Sequence, residues 1–373
     1  MKTFKKPDSI LLVASLTLVL LGVLILASVS AVFSIERFGK PDYLLNHQLL
    51  YGLAPGLFLG LIAFLIPLEK IKKISPWIFV FNLFFLVLLI SSRLGLNLVG
   101  ASRWIGLGPV NFQPSEFLKI SLILYLAAWL TRPESSSAAP KVAKKPWDKL
   151  SPGLPFLFIL GLVTLLLAPQ PDVGTLSVVA SIALVVFFLS GTPWWQNASL
   201  WLLGAAALAF LIKIAPYRLN RWLVFLNPDL DPMGRGYQLK QALIAIGSGG
   251  FLGLGLGLSR QKFGFLPQTI GDAIFPVFAE EAGFLGALIL ISVLLIFVWQ
   301  GFRVSRLNKD KFSQLVGAGL SFWIGFQALT NISSLAGLLP LTGVPLPFVS
   351  YGGSHLVAEL IGVGILLNIS RET

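Results

Sequence analysis

Ten apolar segments, each close to the length of one membrane crossing, leave few folds open to this sequence. A transmembrane helix needs about 20 mostly apolar residues. The segments lie near residues 10–33, 48–66, 76–91, 114–131, 153–168, 173–190, 197–214, 277–300, 314–339 and 348–369. Only 12% of the residues are charged, about half the share found in soluble globular proteins. The sequence therefore predicts one all-α polytopic membrane domain over residues 1–373 and excludes a soluble enzyme.

The distribution of Lys and Arg predicts the orientation of these spans. With the N-terminus inside, sixteen Lys and Arg fall in cytoplasmic segments and four in short external loops. Such a bias is typical because cations resist translocation. Both termini are therefore predicted to be cytoplasmic, and most of the net charge of +12 reflects topology and not nucleic-acid binding. The apolar run from Ile10 to Val32 is longer than a signal-peptide core, so we expect it to remain as a span.

Two segments between spans differ from the short loops. Residues 132–152 are rich in Pro, Ser, Ala and Lys and predict a cytoplasmic linker without chemistry. Residues 215–276 form a long external loop between the seventh and eighth helices, and it carries six cations and a glycine run. We expect short interfacial or re-entrant helices there, in contact with protein or a water-filled cavity.

Charged side chains at the ends of spans are the candidate functional residues, since they are expensive in a membrane. Glu116 and Lys119, three residues apart, are either an ion pair at the start of a helix or one wall of an external cavity. Asp172 is a candidate N-cap that could also line such a cavity. Asp272, at the end of the cationic loop, is either a helix cap or a general base.

Other charged residues in the spans require partner side chains. Glu280 and Glu281 require cationic or hydrogen-bonding neighbours, for which the loop arginines are candidates. His355 and Glu359 are four residues apart, which predicts mutual hydrogen bonding in a structural role. Cations outside a membrane commonly bind phosphate, so the residue types indicate either group transfer from a lipid-phosphate donor or movement of a lipid-linked substrate across the membrane. There is no Cys and there are only two His, which excludes thiolate chemistry and disfavours a His-rich metal site.

Several ordered strings resemble one known family, the SEDS proteins (FtsW, RodA and SpoVE). They are GASRWI at 100–105, FQPSEFLK at 112–119, PQPDVGT at 169–175, NPDLDPMGRGYQLKQALIAIGSGG at 227–250, GLGLSRQKFGFLP at 255–267 and GVPLPFVSYGGS at 343–354. Together they span nearly the whole chain.

The resemblance implies a peptidoglycan glycosyltransferase of the bacterial cytoplasmic membrane. Such proteins polymerise lipid II into a growing glycan strand on the outer face, by an inverting transfer that releases a lipid pyrophosphate. The expected partners are lipid II, the glycan strand, a class B penicillin-binding protein, other divisome or elongasome membrane proteins and membrane lipid, with no nucleic acid. The string at 259–262 is closer to FtsW than to RodA.

The resemblance also implies residue roles. The essential carboxylate of the family's long loop corresponds to Asp272, which could also hold a divalent cation such as Mg or Mn; no other cofactor is implied. Substrate binding is implied for Trp104, Glu116, Lys119, Asp172, Arg218, Arg221 and Lys262. The chain departs from the family pattern just before Asp272, where Gln268, Ile270 and Gly271 replace the usual Glu, His and Thr.

Two functions of other classes remain open from the sequence: a lipid II flippase, and a scaffold that only recruits the cross-linking partner. A flippase predicts charged residues along a path to the cytoplasmic side. The candidate polar residues cluster instead near the external face, apart from His355 and Glu359. This clustering favours an outward-facing enzyme.

Overall fold

The computed structural model describes residues 6–91, 95–98, 101–108, 110–132, 152–170, 172–214 and 216–373. Its helices coincide with all ten predicted segments. In chain order they are α1 (Ser9–Phe38), α2 (Tyr43–Gln48), α3 (Ala54–Leu65), α4 (Leu68–Ser91), α5 (Pro114–Leu130), α6 (Gly153–Leu167), α7 (Val173–Leu189), α8 (Trp194–Ile214), α9 (Pro216–Leu226), α10 (Arg235–Ser248), α11 (Ile274–Leu307), α12 (Lys311–Leu335) and α13 (Gly353–Ser370). A π-helical turn, Leu49–Leu53, joins α2 to α3. The predicted helical fold class is confirmed.

Six helical segments among the described residues are long and apolar enough to cross a membrane, namely α1, the continuous α2–α3 segment, α4, α11, α12 and α13. The helices α6 and α7 are apolar but shorter. Along α1, one face is buried while Val13, Leu16 and Leu20 are more than half exposed. Such an outward apolar face suits lipid contact, and the protein is a multi-pass membrane protein.

The centre of the bundle is formed by α12 and α13, the most buried of the candidate spans. The helix α12 packs against α5, α7, α11 and α13, while α13 packs along α3. Trp323 of α12 and Ala358 of α13 are fully buried. The buried polar side chains on these two helices, such as Gln327, Asn331 and Glu359, therefore contact protein and not lipid.

A small antiparallel sheet lies between α4 and α5 and was not anticipated from the sequence. Its strands are β1 (Gly95–Leu98), β2 (Ala101–Leu107) and β3 (Val110–Phe112), in the order β1-β2-β3. Trp104 of β2 pairs with Leu96 of β1. Strands of three to seven residues carry too few alternating positions for periodicity to reveal them.

The segment predicted as the long external loop contains short helices, as expected. These are α9, a 3₁₀ turn at Pro228–Leu230 and α10. The glycine run that follows turns tightly, with positive φ at Gly250, Gly253, Gly255 and Gly257. Almost all of the predicted linker at 132–152 lies outside the described residues.

Candidate active site

Asp272 lies in the turn before α11, and its carboxylate is not the cap of that helix. The N-cap is Ala273, whose side chain makes no capping bond. Asp272 Oδ1 is buried and has no hydrogen-bond partner in the described part of the chain. Burial raises the pKa of Asp272 to about 6, although its own N–H, that of Ala273 and the Arg221 guanidinium act in the opposite direction. A carboxylate with this pKa and a free oxygen can accept a proton near neutral pH.

Three other segments converge on Asp272. Its Oδ2 lies 3.6 Å from where a Cβ would stand on Gly343. The neighbouring carbonyl of Thr342 accepts a 3.4 Å hydrogen bond from Arg221 Nη1 on α9. A Cβ on Gly174, at the start of α7, would lie only 2.6 Å from the same carbonyl oxygen. The fold therefore brings Arg221, the 342–344 turn and the N-terminus of α7 to Asp272.

Asp172 caps α7, as one of its two predicted roles requires. Its carboxylate accepts hydrogen bonds from Thr175 N at 3.0 Å and Thr175 Oγ1 at 2.9 Å. Arg103 Nη1 lies 3.5 Å from Asp172 Oδ2, and Arg103 Nε donates to the Gln170 carbonyl at 3.0 Å. Asp172 thereby fixes the helix end that contacts the 342–344 turn.

Glu116 and Lys119 form the predicted ion pair, and the pair is buried. Lys119 Nζ lies 2.8 Å from Glu116 Oε2 and 2.8 Å from Gln327 Oε1 of α12. Lys119 is only 1% exposed. In this structure the two charges thus compensate each other inside the bundle and do not line an open cavity.

His355 Nδ1 and Glu359 Oε1 lie 3.2 Å apart, as their spacing predicted, but neither atom makes a hydrogen bond within the described residues. The same ring nitrogen lies 3.4 Å from Glu116 Oε2, so the pair joins the Glu116–Lys119 pair in one buried cluster. Glu359 Oε2 accepts a 2.8 Å bond from the N–H of Phe348, a residue with φ of 63°. This junction could not be predicted from the sequence, because residues 116 and 355 belong to different helices.

Glu280 and Glu281 bind partners other than the loop arginine side chains that the sequence suggested. Glu280 accepts hydrogen bonds from the Ser259 hydroxyl and from the backbone N–H groups of Arg260 and Gln261. These bonds fasten the glycine-rich segment to α11. The physical reason is that the backbone turn at residues 259–261 lies within hydrogen-bonding distance of the Glu280 carboxylate.

The remaining predicted substrate-binding residues stay predictions. Lys262 is buried, and its Nζ lies 2.8 Å from Glu281 Oε1, so its charge is neutralised within the protein. Trp104 is half-buried on β2. Arg218 lies on α9, but its side chain is outside the described part of the structure.

Two residues at this site were missed from the sequence, Asn331 and Thr342. Asn331 Nδ2 donates to the carbonyl oxygens of Asp272 and Val344. The Thr342 hydroxyl is buried without a partner in the described ranges. Neither residue is charged, so a search for charges in membrane segments passes over both.

Comparisons with known proteins identify the family of this chain. The family model of the cell cycle proteins FtsW, RodA and SpoVE matches residues 8–373. The chain is 36% identical over 369 residues to the probable peptidoglycan glycosyltransferase FtsW of Coxiella burnetii, covering 98% of this chain and 96% of that protein. It is 34% identical over 373 residues to the stage V sporulation protein E of Bacillus subtilis, covering 98% and 97%.

Solved structures share the fold over the full length. One, described as "Structural coordination of polymerization and crosslinking by a peptidoglycan synthase complex", is similar with a TM-score of 0.75 and 29% identity, covering 100% of this chain and 98% of that one. The rod shape determining protein RodA of Thermus thermophilus is similar with a TM-score of 0.68 and 28% identity, covering 98% and 97%. The chain belongs to the FtsW, RodA and SpoVE family of cell cycle proteins.

Proposed function

We propose that this protein is a peptidoglycan glycosyltransferase that polymerises lipid II into glycan strands, for cell division or cell elongation. Its relatives carry the name of that activity, and the observation that carries the proposal is Asp272. This carboxylate has a buried oxygen with no hydrogen-bond partner among the described residues, and the guanidinium of Arg221 is near enough to lower its pKa. A base with a cation in its vicinity suits transfer of a sugar from a pyrophosphate donor.

In the proposed step Asp272 removes the proton from the acceptor sugar hydroxyl. The hydroxyl oxygen attacks the donor anomeric carbon and forms the new glycosidic bond. The bond from that carbon to the pyrophosphate oxygen breaks, and undecaprenyl pyrophosphate leaves with the electron pair. One displacement inverts the configuration, so no covalent enzyme intermediate is needed.

Arg221 is the cation that we assign to the leaving pyrophosphate, because it hydrogen-bonds the Thr342 carbonyl and its charge acts on Asp272. Lys119 is the weaker candidate, since its ammonium is held by Glu116 and Gln327. A guanidinium offers two parallel donors to phosphate oxygens. We therefore assign leaving-group stabilisation to Arg221.

The predicted divalent cation at Asp272 gains little support. The described residues include no group of three or more His, Asp or Glu side chains able to hold a metal ion. Asp272 would have to bind it with neutral oxygen ligands, and a nearby Arg221 would oppose it electrostatically. The proposed reaction uses no metal ion.

We propose that the protein lies in the cytoplasmic membrane with both termini inside and Asp272 on the outer face. The positive-inside distribution of Lys and Arg supports this orientation. A class B penicillin-binding protein is the proposed partner, consistent with the similarity to a complex that couples polymerisation and crosslinking.

The test is gel analysis of glycan products from purified protein and lipid II, with and without the partner. Asp272→Asn should reduce the initial rate by about 10²–10⁴-fold, as expected for loss of a general base. The matched control is Asp229→Asn in the same loop, whose side chain is 78% exposed in a surface pair with Lys240. Polymerisation by Asp272→Asn at the parental rate would refute the assignment.

The same preparation discriminates the two alternatives. A flippase would move labelled lipid II across vesicle bilayers without forming glycosidic bonds. A scaffold would do neither, yet would raise the activity of its partner. If the parental protein makes glycan chains and Asp272→Asn does not, neither a flippase nor a scaffold alone explains the activity.

A further inference from the structure

Asn331 connects two loops that meet at Asp272. It lies on α12 and is 1% exposed. Its Nδ2 donates to the carbonyl oxygen of Asp272 at 2.8 Å and to that of Val344 at 2.7 Å. Both N–H groups of one amide are thus used on two loops, one preceding α11 and the other joining α12 to α13.

The second loop also holds the cation of the site. Val344 is two residues from Thr342, whose carbonyl accepts the hydrogen bond from Arg221 Nη1. Gly343, between them, has φ of 72° and lies against Asp272 Oδ2. Asn331 therefore ties the backbone of the base to the turn that holds Arg221.

We propose that Asn331 is a positioning residue that fixes the separation of Asp272 and Arg221. The inference rests on the glycosyltransferase function proposed above. Asn331 does not touch the reacting atoms; it acts through the backbone on both sides of the site. A displacement of about 1 Å between reacting groups is enough to reduce a rate by about 10²-fold, so two backbone bonds from one rigid amide have a large effect on turnover.

The chain offers a matched control in Asn368. Its Nδ2 also donates to two carbonyl oxygens, those of Ala63 at 3.0 Å and Ile66 at 2.6 Å. It too is buried on a central helix, 6% exposed on α13. Asn368 lies next to Ile369, whose carbonyl contacts Asn308 at the far end of α11 from Asp272. The helix α11 is kinked at Gly283, which has φ of 68°, but the straight part from Phe284 to Leu307 alone rises about 1.5 Å per residue. Asn368 is therefore remote from the site.

The experiment compares Asn331→Ala with Asn368→Ala in the full-length protein. Thermal unfolding gives the change in Tm, and initial rates over a range of lipid II concentrations give kcat and KM. We expect the two variants to lose similar stability. Only Asn331→Ala should lose about 10- to 100-fold in kcat, with KM changed by less than about threefold.

Each outcome bears on the proposal. Equal losses of kcat in the two variants, a full kcat in Asn331→Ala, or a loss confined to KM would overturn it. If Asn331→Ala does not fold, Asn331→Ser, which keeps one donor, is compared with Asn368→Ser by the same criterion. Parental protein and Asp272→Asn run in parallel: failure of the parental protein to polymerise lipid II refutes the proposed function, whereas an unimpaired Asn331→Ala refutes only this inference.

Discussion

Replacing Asp272 by Asn should stabilise the protein at neutral pH while removing its activity. The pKa of Asp272 is about 6 in the folded protein, against 3.8 for an ordinary aspartate. A carboxyl whose pKa is raised by folding contributes stability below its unfolded pKa. That contribution is lost as the pH rises through the folded pKa. Above pH 6 the folded protein therefore carries a buried negative charge that the unfolded chain hydrates more favourably.

The magnitude follows from the two pKa values. They differ by about 2 pH units, and each unit is worth about 1.4 kcal/mol. The ionised carboxylate thus destabilises the fold by up to about 3 kcal/mol at pH 7.5. Asparagine has nearly the same shape as aspartate and no charge. Asp272→Asn should therefore recover much of this free energy of unfolding at pH 7.5 and none of it near pH 4.

The assay is the thermal unfolding midpoint of both proteins in the same detergent between pH 4 and 8. The difference in Tm should grow between about pH 4 and pH 6 and then level off. Asp172→Asn is the control, because asparagine remains a good N-cap. It loses the contact with Arg103 and the hydrogen bond that Oδ2 accepts from Thr175 Oγ1, so it should give no gain at any pH. Two results would refute this account of Asp272: no increase in Tm for Asp272→Asn at any pH, or an increase at pH 4 as large as that at pH 7.5.

Three further predictions address other contacts. The polymerisation rate of the parental protein should fall about tenfold per pH unit below about pH 6, as Asp272 is protonated; a rate independent of pH from 5 to 8 contradicts its role as base. Gly174→Ala should lower the polymerisation rate about tenfold, since a Cβ there would lie 2.6 Å from the Thr342 carbonyl oxygen. The control is Gly161→Ala, where a Cβ meets no atom within 4 Å and the rate should not change. Equal rates in the two variants would exclude the close contact between α7 and the Thr342 carbonyl. Lys262→Met should cost about 3–5 kcal/mol, because the buried charge of Glu281 then keeps only its hydrogen bond from the Ser28 hydroxyl. The double variant with Glu281→Met should regain most of this stability, as measured by thermal unfolding; an unchanged Tm in Lys262→Met would mean that the pair is not buried.

Much of the fold was predictable because the signal is local. A span is encoded by the length and apolar character of one continuous segment, so all ten predicted segments are helices. Asp172 was recognised as an N-cap from its immediate neighbours, and the His355–Glu359 contact from a spacing of four residues. Each of these features depends on residues within a single helix and not on how the helices pack together.

The sheet and the loop contacts were less accessible. The strands at 95–112 are short, and their pairing is decided by the hairpin they form. Glu280 was expected to meet arginine side chains, and it binds a serine hydroxyl and backbone N–H groups instead. Which donor reaches a buried carboxylate depends on the path of the glycine-rich segment, which its composition does not specify.

The sequence by itself determined the membrane character, the approximate limits of the ten helical segments and the position of the acidic residue Asp272. Only the tertiary structure decided the surroundings of that residue, namely Arg221, the turn at Thr342 and the amide of Asn331. It also decided that Glu116, Lys119, His355 and Glu359 form one buried cluster. The physical reason is that a span is set by the local balance of apolar burial and backbone hydrogen bonding. A site is set by which helix faces meet when the bundle packs, and that involves residues far apart in the chain.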